Sequence, residues 1–187
     1  MIADDNVTII GSANINDRSM LGNRDSEVAV VLEDEEFESH FMNGKAYKSG
    51  RFAGSLRRML MREHLGIYKK SATDLTPNIN DKLKLDSVND PTCDQFWNNV
   101  WNSTARLNTM IYEQVFPVIP TDEIKNMSQI PDYMEKPKLY KVDKAKAQER
   151  LASIQGHLVY LPLDFLINES NNNYGPKDKV IPQVIWT

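Results

Sequence analysis

Apolar residues follow two rhythms along this chain. Up to Leu32 they form short runs rich in β-branched residues, and from Gly50 onward they recur at helical spacing. Met1-Ile2, a polar Asp4-Asp5-Asn6 turn and Val7-Thr8-Ile9-Ile10 predict a hairpin. Asn16-Asp17-Arg18-Ser19 suits a loop or the first turn of a short helix, stopped by Gly22-Asn23. Val28-Ala29-Val30-Val31-Leu32 is continuously apolar and predicts a central strand buried on both faces. The acidic stretch Glu33 to Glu38 reads as a solvated loop or a first helical turn.

Gly50 to Gly66 predicts an amphipathic helix, with Arg51, Arg58 and Arg62 gathered on one face. That basic face is either a solvated exterior or a contact for anionic headgroups, and the solvated exterior is the default. His64 sits in the last turn, where a cation complements the helix dipole. Tyr68 to Asn89 has no period and predicts a surface connection. Asp90-Pro91 then predicts a helix start, with Asp90 as N-cap. Phe96, Trp97, Val100, Trp101, Ala105, Asn108, Ile111, Tyr112, Val115 and Phe116 form its buried stripe up to Pro117, and aromatics at that spacing read as core rather than as a ligand platform. Shorter helices are expected over Asp122 to Met134, interrupted at Pro131, and over Lys144 to Ile154. His157 to Leu163 is expected as an edge strand because it carries Pro162. The tail from Asn168 reads as a loop, and the apolar end Val184 to Thr187 as tucked in.

Composition narrows the classes. In 187 residues there are 41% hydrophobic and 26% charged positions, a composition that folds rather than one that stays disordered. A net charge of -4 offers no general attraction to nucleic acid, and the sequence has no basic, aromatic-lined groove. The single Cys93 excludes an internal disulfide framework and suits a reducing compartment, and no apolar run reaches the length of a membrane span. The expected location is cytoplasmic, peripheral to membranes. There is no CxxC pair, HExxH or glycine-rich nucleotide loop, so neither a metal nor a dinucleotide is called for. The chain also opens inside an apparent strand with no polar lead-in, which points to a fragment.

The candidate chemistry lies just after the hairpin, at Gly11-Ser12-Ala13-Asn14. Glycine permits close backbone approach, and a hydroxyl, an amide and nearby N–H groups donate to phosphate oxygens. Glu27 stands at the mouth of the apolar run, either as a solvated strand-end carboxylate or as one awaiting a partner.

Asp4 followed seven residues on by Gly11-Ser12-Ala13-Asn14 resembles the rear of the H-x-K-x4-D-x6-G-S-x-N motif of the phospholipase D superfamily. The string Gly11 to Gly22 with Arg24-Asp25-Ser26-Glu27 is similar to the second such block of eukaryotic phosphatidylcholine-hydrolysing phospholipase D. So are Gly50-Arg51-Phe52, Leu56-Arg57, His64-Leu65-Gly66, Trp101 to Arg106 and the closing Trp186-Thr187. The motif histidine and lysine would precede Met1, and the first motif is absent from this chain.

The resemblance implies an α/β fold, part of the second lobe of a sandwich with a mixed central sheet and flanking helices. Residues 1–66 would be the rear of the second catalytic lobe, 67–90 a surface connection and 91–187 a helical and strand cap. Ser12 and Asn14 would touch phosphate, Gly11 would give clearance, Asp4 would be structural, and Glu27 would hydrogen-bond the motif histidine and set its tautomer. The reaction implied is hydrolysis or transphosphatidylation of phosphatidylcholine through a phosphohistidine, with no metal and no cofactor. The partners are a phospholipid substrate, a membrane surface and the upstream part of the enzyme. The chain alone is expected to be inactive and poorly soluble, its sheet edges uncovered. A short non-catalytic phosphate- or lipid-binding or interaction protein is the competing reading, and a nuclease of the superfamily a more distant one.

Overall fold

A computed structural model describes residues 1–67 and 86–169. These residues combine helices with two small antiparallel sheets and separate into two compact units. The first holds Met1–Glu38 and Ser49–Ser55; the second holds Ser39–Lys48 and the described residues within Leu56–Glu169.

In the first unit β1 (Ile2–Ala3) and β2 (Val7–Gly11) form the expected hairpin, and Asn6 N–H closes its turn on Ala3 O at 2.9 Å. Asp4 and Asp5 both take positive φ, 51° and 49°, a conformation that short polar side chains tolerate. β3 (Ala29–Glu33) pairs with β2 from Gly11↔Ala29 to Val7↔Glu33. It is the edge of a three-stranded sheet, and every residue in it is exposed. The double burial expected from its apolar run is therefore corrected for this chain, because β2 lines only one edge and nothing among the described residues covers its faces.

The acidic stretch is put to structural use. Asp34 accepts the N–H groups of Phe52 and Ala53, both at 2.8 Å, at the start of α2 (Arg51–His64), and Glu36 pairs with Arg51 at 2.5 Å. A carboxylate on the orphan amides of a helix start serves as a cap borrowed from a distant residue.

β4 (Phe37–Met42) and β5 (Lys45–Gly50) form a second hairpin around Asn43-Gly44, whose φ values of 51° and 72° are those of a two-residue primed turn. In the second unit the Asp90 carboxylate accepts the N–H groups of both turn residues at 2.7 Å. Asp90 is thus occupied elsewhere and does not cap the long helix. That helix begins at α3 (Asp94–Phe96) with Cys93 as N-cap, passes through a π-helical segment (Trp97–Asn102) and continues as α4 (Ser103–Val115). The wide π turn shifts the phase, so Phe96, Ala105, Asn108, Ile111 and Val115 are buried while Trp97 is exposed.

One core cluster joins Leu65, Ile67, Val88, Phe96, Ala105 and Leu158. Val88 is fully buried, so the described end of the expected surface connection contributes to the core. A second cluster forms around Ile111, Val115 and Ala147. Beyond it come a 3-10 turn (Met127–Gln129) and three short helices, α5 (Ile130–Glu135), α6 (Leu139–Val142) and α7 (Lys144–Leu151). Pro131 lies in the first turn of α5, where its missing N–H costs nothing, and so does not interrupt it.

His157 to Leu163 forms no strand. Its backbone is satisfied by a helix instead: Asn108 Nδ2 donates to Leu158 O at 2.9 Å, and Tyr160 N–H donates to Thr109 Oγ1 at 2.7 Å. The segment enters beside the end of α2 by a close glycine pair. Gly66 and Gly156 have φ of 69° and 66°, and a Cβ on Gly66 would sit 2.4 Å from Gly156 N. The expected arginine face of α2 is corrected too. Arg58 is buried, whereas Arg51 is exposed and paired with Glu36, so the three arginines do not share one solvated face. His64, in the last turn, contacts Leu60 O through Nδ1 at 2.7 Å and stacks on Trp101. The readings of the loop-like tail beyond Glu169 and of Val184 to Thr187 lie outside the described residues.

Candidate active site

The site grows out of the β2–β3 ladder. Past the last pair, Gly11↔Ala29, the strands stay bonded for one more step, with Ser12 N–H on Val28 O at 3.0 Å. Gly11 is closed against β3: a Cβ there would lie 2.6 Å from Ala29 Cβ and 2.7 Å from Val28 O. The packing of the two strands thus requires glycine whether or not a phosphate binds.

This ladder end places Ser12 beside Glu27. Ser12 Oγ accepts the Val28 N–H at 3.1 Å and donates to Glu27 Oε2. The other carboxylate oxygen, Oε1, accepts from Ser19 Oγ at 2.5 Å. Ser19 comes from α1 (Asp17–Met20), whose N-cap Asn16 accepts the Ser19 N–H at 3.1 Å. Ser19 Oγ also accepts the Asn14 N–H at 3.1 Å, which ties the loop after β2 to α1. Asn14 is exposed, and its side-chain amide makes no hydrogen bond to a described residue. Arg18 and Asp25 pair at 2.7 Å and close the loop from the other side.

The two hydroxyl donors, Ser12 first and Ser19 second, hold the Glu27 carboxyl below its ordinary value against slight desolvation and the nearby Asp25. The site is therefore an anchored carboxylate flanked by two hydroxyls, with an open amide two residues from Ser12. Hydroxyl and amide donors of this kind bind phosphate oxygens, and a fixed carboxylate orients an imidazole. No group of three or more metal-ligating side chains occurs among the described residues.

Asp4 lies in the hairpin turn, away from the Ser12 and Glu27 pair in sequence. The buried carboxylate of that turn is its neighbour Asp5, which accepts from Ser49 Oγ at 3.1 Å, while Asp5 O accepts the Gly50 N–H at 2.6 Å. No sequence pattern marks Ser19, Asp5 or Asp34 as a site residue. The one signal for Ser19 is its position in the first turn of a short helix that follows Gly11-Ser12-Ala13-Asn14.

Residues 1–133 match a family model described as Phospholipase D. The chain belongs to the phospholipase D family. It is 44% identical over its whole length to phospholipase D1 of Homo sapiens and 42% identical over its whole length to phospholipase D2 of Bos taurus. Phospholipase D zeta 1 of Arabidopsis thaliana is 36% identical over 90% of the chain. The chain spans only 16%, 19% and 16% of those three relatives, respectively. Among the described residues no helix is long and apolar enough to cross a membrane.

Proposed function

We propose that the chain is the C-terminal part of a eukaryotic phospholipase D, contributing the phosphate-holding side of one motif to a two-motif active site. In that enzyme one motif histidine attacks the phosphorus of phosphatidylcholine. The bond to the choline oxygen breaks, and the second histidine protonates the departing oxygen. Water or an alcohol, deprotonated by that second histidine, then attacks the phosphohistidine and releases phosphatidic acid or a phosphatidyl alcohol. Ser12 and Asn14 donate to the nonbridging oxygens, Glu27 orients the histidine supplied from before Met1, and Asp4 shapes the hairpin turn. Residues 1–66 belong to the second lobe of an α/β sandwich with a mixed sheet, 67–90 connect and 91–187 cap it. The enzyme works at a membrane surface, on the cytoplasmic side, without a cofactor.

The single observation that carries this reading is the Glu27 carboxylate, anchored by Ser12 at the end of a ladder whose next polar side chain is Asn14. Family membership and the similarity along the whole chain support it. By itself the chain lacks both histidines and is inactive. The test is transphosphatidylation with labelled phosphatidylcholine and an alcohol. The purified chain alone gives no phosphatidyl alcohol, and mixing it with the upstream portion carrying both histidines restores product. Turnover by the chain alone, or an assembled enzyme indifferent to Asn14→Ala, overturns the proposal.

A further inference from the structure

A phosphate at this site creates a conflict of protons. A serine hydroxyl has one proton to donate and two lone pairs to accept with. The Val28 N–H occupies one lone pair of Ser12, so the one Ser12 proton is available, and it is directed at Glu27 Oε2. It cannot reach Glu27 and a phosphate oxygen at once. If Ser12 turns to phosphate, Glu27 loses a donor just as an anion arrives nearby.

Ser19 resolves the conflict. Its Oγ accepts the Asn14 N–H at 3.1 Å, as Ser12 accepts that of Val28, and its proton goes to the other oxygen, Oε1. Its own N–H is fixed on Asn16 Oδ1, so the hydroxyl is held from both sides.

We propose that Ser19 is a positioning residue of the phosphate site: it keeps the Glu27 carboxylate anchored through Oε1, so that the Ser12 hydroxyl is released to phosphate and Oε2 is released to the imidazole. This rests on the reading of the chain as part of a phospholipase D. Ser19 touches neither substrate nor the reacting atoms. The same hydroxyl fixes the Asn14 backbone, so one side chain sets the register between the phosphate amide and the carboxylate. The other charged groups near Glu27 are Asp25 and Arg18, which pair with each other at 2.7 Å.

The experiment compares Ser19→Ala and Ser19→Thr in the full-length parent enzyme. Ser19→Ala lowers kcat about tenfold, as loss of a hydrogen bond to a charged group does, with KM for lipid nearly unchanged. It also moves the acid limb of the pH profile to higher pH, because a carboxylate with one donor fewer is easier to protonate. Ser19→Thr keeps the hydroxyl and restores both. A Ser19→Ala enzyme with wild-type kcat and acid limb, or a Ser19→Thr enzyme as impaired as the alanine variant, overturns the proposal.

A second measurement is independent of turnover. In the chain itself, NMR titration of the Glu27 carboxyl gives a higher pKa in Ser19→Ala and the original value in Ser19→Thr. An unchanged pKa overturns the assignment. If the wild-type parent makes no phosphatidyl alcohol, the functional reading fails, and the titration still decides the hold of Ser19 on Glu27.

Discussion

Among the described residues the two units differ in what they bury, and only the second encloses large apolar side chains. In the first, the most deeply buried groups include the polar Asp5, Thr8 and Ser49, while Val30 and Val31 of β3 are 53% and 57% exposed. In the second, Leu65, Phe96, Ile111 and Val115 are all at or below 2%. Apolar burial is the main drive for holding a fold together, whereas a hydrogen bond nets about 1 kcal/mol and works by fixing direction. The second unit therefore carries the stability, and the first is positioned by polar bonds that aim its side chains. A phosphate site benefits from aim more than from burial, because its donors must stay accessible to a ligand.

The contrast is most easily broken by truncating one large side chain in each unit. Phe96→Ala is expected to cost about 3–5 kcal/mol, since the ring is enclosed between Leu65, Val88 and Ala105. Val31→Ala is expected to cost under about 0.5 kcal/mol in this chain, because that side chain already faces water. Urea denaturation of the two variants measures both, and equal losses would mean that β3 is covered. The next largest effect tests a buried polar side chain inside the helical unit. Asn108 is fully buried, donates to Gln155 O and Leu158 O at 2.8 and 2.9 Å, and accepts from Gln155 N–H at 3.1 Å. Asn108→Ala removes three hydrogen bonds to backbone groups and is expected to cost roughly 3 kcal/mol by the same measurement.

A smaller effect belongs to the polar scaffold of the first unit. Asp34→Ala removes the acceptor for two N–H groups at the start of α2 and is expected to cost about 1 kcal/mol, with Asp34→Asn recovering much of it. A loss as large as that of Phe96→Ala would place Asp34 among the principal supports of the fold.

Legibility in the sequence divides along the same line. The first hairpin, α2 with its terminal glycine and, apart from Trp97, the buried or half-buried stripe from Phe96 to Phe116 follow from period and composition. Those are burial signals, and burial has a rhythm. Hydrogen-bond partners far apart in sequence have none. Asp90 precedes a proline and looks like a helix cap, yet its carboxylate is taken by a turn 47 residues away. The hairpin at Asn43-Gly44 carried a usable signal in that dipeptide, but its flanks, Phe37–Met42 and Lys45–Gly50, alternate too weakly to frame it. His157 to Leu163 has strand-like composition, but its backbone bonds run to His64, Asn108 and Thr109, which no local pattern reveals. The site divides likewise. Gly11, Ser12, Asn14 and Glu27 stand out by residue type and position and then by a family resemblance, whereas the bond of Ser19 to Glu27 joins residues eight apart and shows only in the fold.

The smallest expected effect separates aim from stability most cleanly, and it concerns Glu27. Its carboxyl lies below the ordinary glutamate value because Ser12, then Ser19, donate to the ionised form. A depressed carboxyl stabilises the folded state fully above the unfolded glutamate value. That contribution fades as pH falls through the lowered folded value, where both states become protonated. Glu27 is solvent-accessible, so the contribution is small, and acid unfolding of Glu27→Gln should nearly superimpose on that of the parent chain. The aim is another matter. In Glu27→Gln the neutral amide replaces an ionised acceptor, and the Ser12 and Ser19 hydroxyls lose the pull that orients them. The amide N–H resonances of Asn14 and Val28, which donate to those two hydroxyls, should therefore shift at neutral pH while the denaturation midpoint stays put. A midpoint that drops with the resonances unmoved would show that Glu27 supports the fold and does not direct the site.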